Sequence, residues 1–192
     1  NRFITKKNIT YIIFSLVIFS FFQGFYYDEN SAGGKGDITW ILNNIEIFKN
    51  NKLKDAILSD DLFGNRTPLV YIINNFLNPF FYEYEKYRLT TFLISLFGPI
   101  FIYFCLKNRY PKTNKELIVL LSSLILLSPY YRTSAYWALN ENYGLITSLI
   151  SLLFLNLYLE NIKINKQKSI FLFFTILFSS LSVYFDLKLL IV

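Results

Sequence analysis

Five uncharged runs, divided by short clusters of charge, restrict this chain more than any other feature. They cover about residues 9–27, 89–106, 117–131, 143–159 and 169–185. The first, Ile9–Tyr27, has about 19 residues, and at 1.5 Å per helical residue that is enough to cross a hydrocarbon core of roughly 30 Å. Backbone polar groups in lipid must bond within their own segment, so runs of this kind fold as helices. The expected fold class is therefore all-α integral membrane, a multi-pass helical bundle.

Composition agrees. The 192 residues are 54% hydrophobic and 20% aromatic, a membrane-protein balance. There is no histidine, and the one cysteine, Cys105, lies within an apolar run. Disulfides, histidine-ligated zinc, haem and histidine-dependent catalysis are thereby excluded from this segment. The net charge of +6 reads as membrane topology, not nucleic-acid binding, because the basic residues cluster between apolar runs. The absence of methionine and the apolar ending Leu189-Leu190-Ile191-Val192 read as the N-terminal portion of a longer chain. Abundant Asn, Lys, Ile and Phe suggest an AT-rich genome and a bacterial inner membrane.

The positive-inside rule orients the runs. Arg2, Lys6 and Lys7 place the N-terminus in the cytoplasm, and Lys107, Arg109, Lys112 and Lys115, then Lys163, Lys166 and Lys168, mark inner loops. A long external loop at 28–88 follows, with a short external turn at 132–142. Within the long loop, Ile38, Ile41, Leu42, Ile45 and Phe48 recur at helical spacing, and Pro68–Phe81 carries a second stripe opposed by Asn74, Asn75 and Asn78. Both read as amphipathic helices lying along the membrane surface. Thr67 is the expected N-cap of the second.

This topology brings Asp28, Glu29, Arg66, Arg132, Glu141, Asp186 and Lys188 to one external layer, although none of them was used to set it. Asp28 and Glu29 follow directly on the first run, where an ionisable group can meet a membrane-borne substrate. The same carboxylates also serve simply to end and solvate the helix. Arg66, Arg132 and Lys188 are candidate anion-binding cations, with interfacial snorkelling as the ordinary alternative. Gly33-Gly34-Lys35-Gly36 lacks the GxxxxGK[ST] spacing of a phosphate loop and is expected to be a flexible turn.

The ordered layout resembles the polytopic lipid-phosphosugar glycosyltransferases of the GT-C class, which include protein mannosyltransferases and aminoarabinose transferases. In that class an acidic pair closes the first membrane helix, as Asp28-Glu29 does. The first loop carries a Pro-Leu-x-Tyr element similar to Pro68-Leu69-Val70-Tyr71, here preceded by Arg66-Thr67. A second acidic position follows the third helix, like Glu141 after Arg132–Asn140, and a lysine near the end of the fifth matches Lys188.

The resemblance implies a GT-C-like bundle transferring a sugar, with inversion, from a polyprenyl-phosphate donor to a lipid, glycan or protein acceptor at the external face. It implies Asp28, Glu29 and Glu141 as catalytic candidates and Arg66, Tyr71, Arg132 and Lys188 as substrate- or phosphate-binding ones. Asp28 is the expected base, and Glu29 either orients the acceptor or faces away. No metal ligands are assigned, and the need for a divalent ion is left open. Partners are the donor, its acceptor and membrane lipids, with no nucleic acid. The competing reading is a multi-pass transporter or flippase of a lipid-linked or small polar substrate, although such proteins tend to carry their charges within spans.

Overall fold

A computed structural model describes residues 6–62, 68–163 and 169–191, and every regular element among them is helical. In chain order these are α1 (Lys6–Tyr26), α2 (Ile38–Asn50), α3 (Leu53–Ile57), α4 (Leu69–Leu77), α5 (Tyr84–Ser95), α6 (Phe97–Arg109), α7 (Lys115–Ser123), α8 (Pro129–Tyr136), α9 (Glu141–Lys163) and α10 (Ser169–Phe185). Short 3₁₀ turns lie at Gly34–Asp37, Leu124–Leu127 and Leu187–Ile191.

Three stretches are long and apolar enough to cross a membrane: Asn8–Tyr26, Tyr84–Arg109 and Glu141–Ile162. They correspond to the first, second and fourth uncharged runs. The fifth run is α10, an apolar helix of 17 residues packed along α9, with the Ser151 hydroxyl donating to the Thr175 carbonyl at 2.8 Å. The third run is not one straight helix. Lys115–Leu127 and α8 are bent by 66°, because Pro129 opens α8 and the Ser128 hydroxyl caps it by accepting from the Tyr131 amide.

The α5–α6 junction has a local cause. Pro99 has no N–H to offer the Ser95 carbonyl one turn earlier. The Tyr131 hydroxyl donates to that carbonyl instead, and a Cβ at Gly98 would collide with the Tyr131 ring. Asn142 ties the same junction to α9, its Nδ2 donating to Ser95 Oγ at 2.9 Å and to the Tyr131 carbonyl at 3.0 Å.

Residues 132–142, expected as a short external turn, comprise most of α8, a short link and the first turn of α9, and they are enclosed by the protein. Every residue from Tyr131 to Asn142 is buried, and α8 packs on α1, α5 and α9. Charge at Arg132 and Glu141 suggested exposure, but both side chains are ion-paired, and the small Ser134, Ala135 and Ala138 beside them are buried.

The second membrane-length helix also starts earlier than its uncharged run. Tyr84–Arg88 belongs to α5, so the inter-helix segment is shorter than the expected 28–88 loop. Within that segment the aromatic rings of Phe48, Tyr71 and Phe81 form a buried cluster, closed by Tyr87 from α5. On α4, Val70, Tyr71 and Asn74 face inward while Phe76 and Leu77 are exposed. Asn74 is thus moved from the expected polar outer face into the protein, where its Nδ2 donates to the Val70 carbonyl at 2.9 Å. Thr67 lies outside the described residues.

Candidate functional site at the end of the first membrane helix

The site begins with how α1 stops. The Glu29 amide donates to the Gly24 carbonyl at 2.9 Å and the Asp28 amide to the Phe25 carbonyl at 3.3 Å. This pair of bonds is a Schellman closure, and Asp28 holds the left-handed position within it at φ 54°. Glycine usually stands there, and a residue with a side chain costs about 1–2 kcal/mol in that conformation. Aspartate is among the side chains that tolerate it best.

The closure sends the two adjacent carboxylates to different arginines. Arg88, on the first turns of α5, donates through Nη2 to Asp28 Oδ1 and through Nε to the Tyr136 carbonyl. Its guanidinium carbon lies 4.8 Å from the Phe25 ring centroid and 4.6 Å from that of Trp137. The Arg88 side chain is 8% exposed and that of Asp28 56%, so a buried cation holds an accessible acid.

Glu29 is anchored more fully. Arg132 Nε donates to both its oxygens at 3.0 Å, Nη2 also reaches Oε2, and the Ser31 hydroxyl donates to Oε1 at 2.9 Å. Burial alone would raise the Glu29 carboxyl. The Arg132 and Ser31 hydrogen bonds, together with the guanidinium charge, outweigh it and hold the group below the ordinary glutamate range.

The remaining Arg132 donors go to α1 and its neighbour: Nη1 to Ser20 Oγ at 3.1 Å and the Leu126 carbonyl at 3.3 Å, and Nη2 to the Ser20 carbonyl at 3.0 Å. Every N–H of this guanidinium is therefore taken within the protein. Arg132, expected as a phosphate ligand, is placed as the clamp on Glu29.

The glycine-rich turn packs onto the same centre. Gly34 is buried, and a Cβ there would collide with Thr133. The Ala32 amide donates to Thr133 Oγ1 at 3.1 Å, the Lys35 amide to Asn30 Oδ1 at 2.8 Å, and Trp137 Nε1 to the Glu29 carbonyl at 2.9 Å. The turn expected to be flexible is thus seated, and it carries the exposed Lys35 ammonium to 5.8 Å from the Trp137 ring centroid.

A second polar cluster joins Glu141, Lys188 and Tyr130. Lys188 Nζ lies 3.3 Å from Glu141 Oε1 and donates to the Tyr130 hydroxyl at 3.0 Å. Burial would lower the ammonium, but the Tyr130 hydrogen bond and the Glu141 charge carry it above the ordinary lysine value. Glu141 is buried, whereas Lys188 keeps 65% of its side chain exposed.

Among the sequence candidates, the structure brings Glu29 to Arg132 and Glu141 to Lys188. Tyr71, on α4, sits in the aromatic cluster with Phe48 and Phe81, and Arg66 lies outside the described residues. Sequence reading missed Arg88, Trp137 and Lys35. An arginine one residue before an uncharged run looks like a helix-end charge, and only the fold shows that it turns inward.

Among the described residues no group of three or more acidic or cysteine side chains converges as a metal cradle. Asp28 and Glu29 each face a guanidinium instead. In comparisons with protein families, curated proteins and solved structures, no match to this chain was found.

Proposed function

We propose that this chain belongs to a membrane glycosyltransferase that moves a sugar from a polyprenyl phosphate to a hydroxyl acceptor at the external membrane face. One observation carries the reading. An accessible carboxylate, Asp28, is fixed at the end of a membrane-length helix in a backbone conformation that costs energy, and such outliers cluster at functional sites.

In this reading the acceptor hydroxyl gives its proton to Asp28 as its oxygen attacks the anomeric carbon. The bond from that carbon to the phosphate oxygen breaks, the electron pair leaves with the polyprenyl phosphate, and the configuration inverts. Exposed ammonium groups at Lys35 and Lys188 suit the charge that grows on the leaving phosphate. Arg66 remains a candidate for the same role. The outward apolar face of α4 suits a surface helix beside a lipid headgroup. A transporter is less well supported, because the ion pairs described here gather near helix ends.

The test is transfer of labelled sugar from a panel of polyprenyl-phosphate donors by the purified protein in lipid nanodiscs, with the product anomer identified. Transfer with inversion supports the proposal. Movement of intact substrate across proteoliposomes without transfer would replace it with the transporter.

A further inference from the structure

We infer that Arg88 is the positioning residue for Asp28, holding one carboxylate oxygen so that the other is presented to substrate; this rests on the transferase reading above. The two arginine–acid pairs at the site are built differently. Arg132 engages both oxygens of Glu29. Arg88 contacts Oδ1 of Asp28, and among the described residues Oδ2 has no hydrogen-bond partner.

Arg88 itself is tightly constrained. Two aromatic ring centroids lie close to its guanidinium carbon, at 4.8 and 4.6 Å, Nε is committed to the Tyr136 carbonyl, and Nη2 also lies 3.4 Å from the Phe25 carbonyl. A planar guanidinium fits this slot, since it stacks on ring faces while donating in its own plane. Its other acidic neighbour, Glu85, is 3.4 Å away, one turn earlier on the same helix, with a side chain 78% exposed.

Burying a guanidinium is costly unless it is paired. Here the burial serves an acid that is itself more than half exposed, an arrangement suited to aiming a carboxylate. Asp28 is therefore fixed twice, by the left-handed closure of α1 and by Arg88. The consequence is a defined direction for Oδ2 without loss of access.

The experiment uses the full chain in nanodiscs and reads two quantities in the same preparations. One is the rate at which a water-soluble carbodiimide with an amine labels Asp28, followed by peptide mass spectrometry with exposed Asp55 as internal reference. The other is kcat and KM for sugar transfer. Arg88→Ala is expected to label Asp28 about tenfold faster, the factor that loss of one charge-assisted hydrogen bond gives, with Asp55 unchanged. Its kcat should fall about 10²-fold, while donor KM stays within about threefold. Methylguanidinium should restore slow labelling and transfer to Arg88→Ala, but restore no transfer to Asp28→Asn/Arg88→Ala.

Should Arg88→Ala fail to insert, Arg88→Lys replaces it: lysine keeps the charge but not the flat fork, and a kcat between alanine and parent is expected. Parent-like kcat in the inserted variant, or unchanged Asp28 labelling, overturns the inference. A parent that transfers nothing while Arg88→Ala still accelerates Asp28 labelling removes the reaction and leaves the placement. A transferring parent indifferent to Arg88→Ala removes the positioning role and leaves the reaction.

Discussion

Arg132 and Glu29, 103 residues apart in sequence, meet through a guanidinium that spans both carboxylate oxygens and ties the end of α1 to α8. Because the Glu29 carboxyl is held below its ordinary range, its contribution to stability has a definite sign. It is present in full above the ordinary glutamate value near 4.5 and is lost as pH falls through the lower folded value. The melting temperature of the parent should therefore fall below that point. Glu29→Gln should flatten this acid dependence and, by leaving buried Arg132 without a counter-charge, destabilise at neutral pH by on the order of 3 kcal/mol. An unchanged acid limb in Glu29→Gln would assign it to other groups.

Gly24 lies where these side chains converge. A Cβ there would sit 2.5 Å from Arg132 Nη2, 2.5 Å from the Tyr136 hydroxyl and 2.6 Å from Glu29 Oε2. Alanine normally favours a helix over glycine by about 1 kcal/mol. Here Gly24→Ala should instead destabilise by about 1–3 kcal/mol through overpacking. Gly36→Ala, where nothing lies within 4 Å, serves as the near-neutral control in the same melting experiment.

The α5–α6 junction allows a paired test. Tyr131→Phe removes the donor to the Ser95 carbonyl and should cost about 1–3 kcal/mol. Pro99→Ala returns a backbone N–H one turn beyond Ser95, so adding it to Tyr131→Phe should recover part of that loss. Strict additivity of the two changes would show that they do not share this carbonyl.

Much of the fold was legible because lipid imposes a simple rule: a long uncharged run becomes a helix. The runs at 9–27, 89–106 and 143–159 correspond to the three membrane-length stretches. At the site, what escaped was every case where charge did not mean exposure. Arg88, Arg132 and Glu141 are buried, and each is neutralised by a partner at least 47 residues away in sequence, a pairing that spacing alone does not reveal. Asp28 and Glu29 could be singled out from their place after α1. Their division between two arginines could not, because it depends on a left-handed turn at a non-glycine residue.

The exposed face of α4 predicts a separable effect on the membrane surface. Phe76 is 67% exposed and Leu77 78%. Phe76→Asp should leave the core intact, with a melting temperature close to the parent's. It should lower transfer about tenfold, through loss of roughly 1.5 kcal/mol of apolar contact with the interface. Full activity with normal expression would separate α4 from the reaction.

Asp28→Asn measured beside Glu29→Gln is the most direct test of the transferase account. Asparagine tolerates the left-handed position and keeps the side-chain shape, so the variant should insert and unfold much like the parent while being unable to take a proton. Transfer from a polyprenyl-phosphate sugar, assayed across an acceptor panel, should fall at least 10²–10⁴-fold, about the contribution of general-base help. Glu29→Gln should be milder per folded molecule. Near-parental transfer by Asp28→Asn would contradict the account, and a dead Glu29→Gln beside an active Asp28→Asn would move the base one residue along the chain.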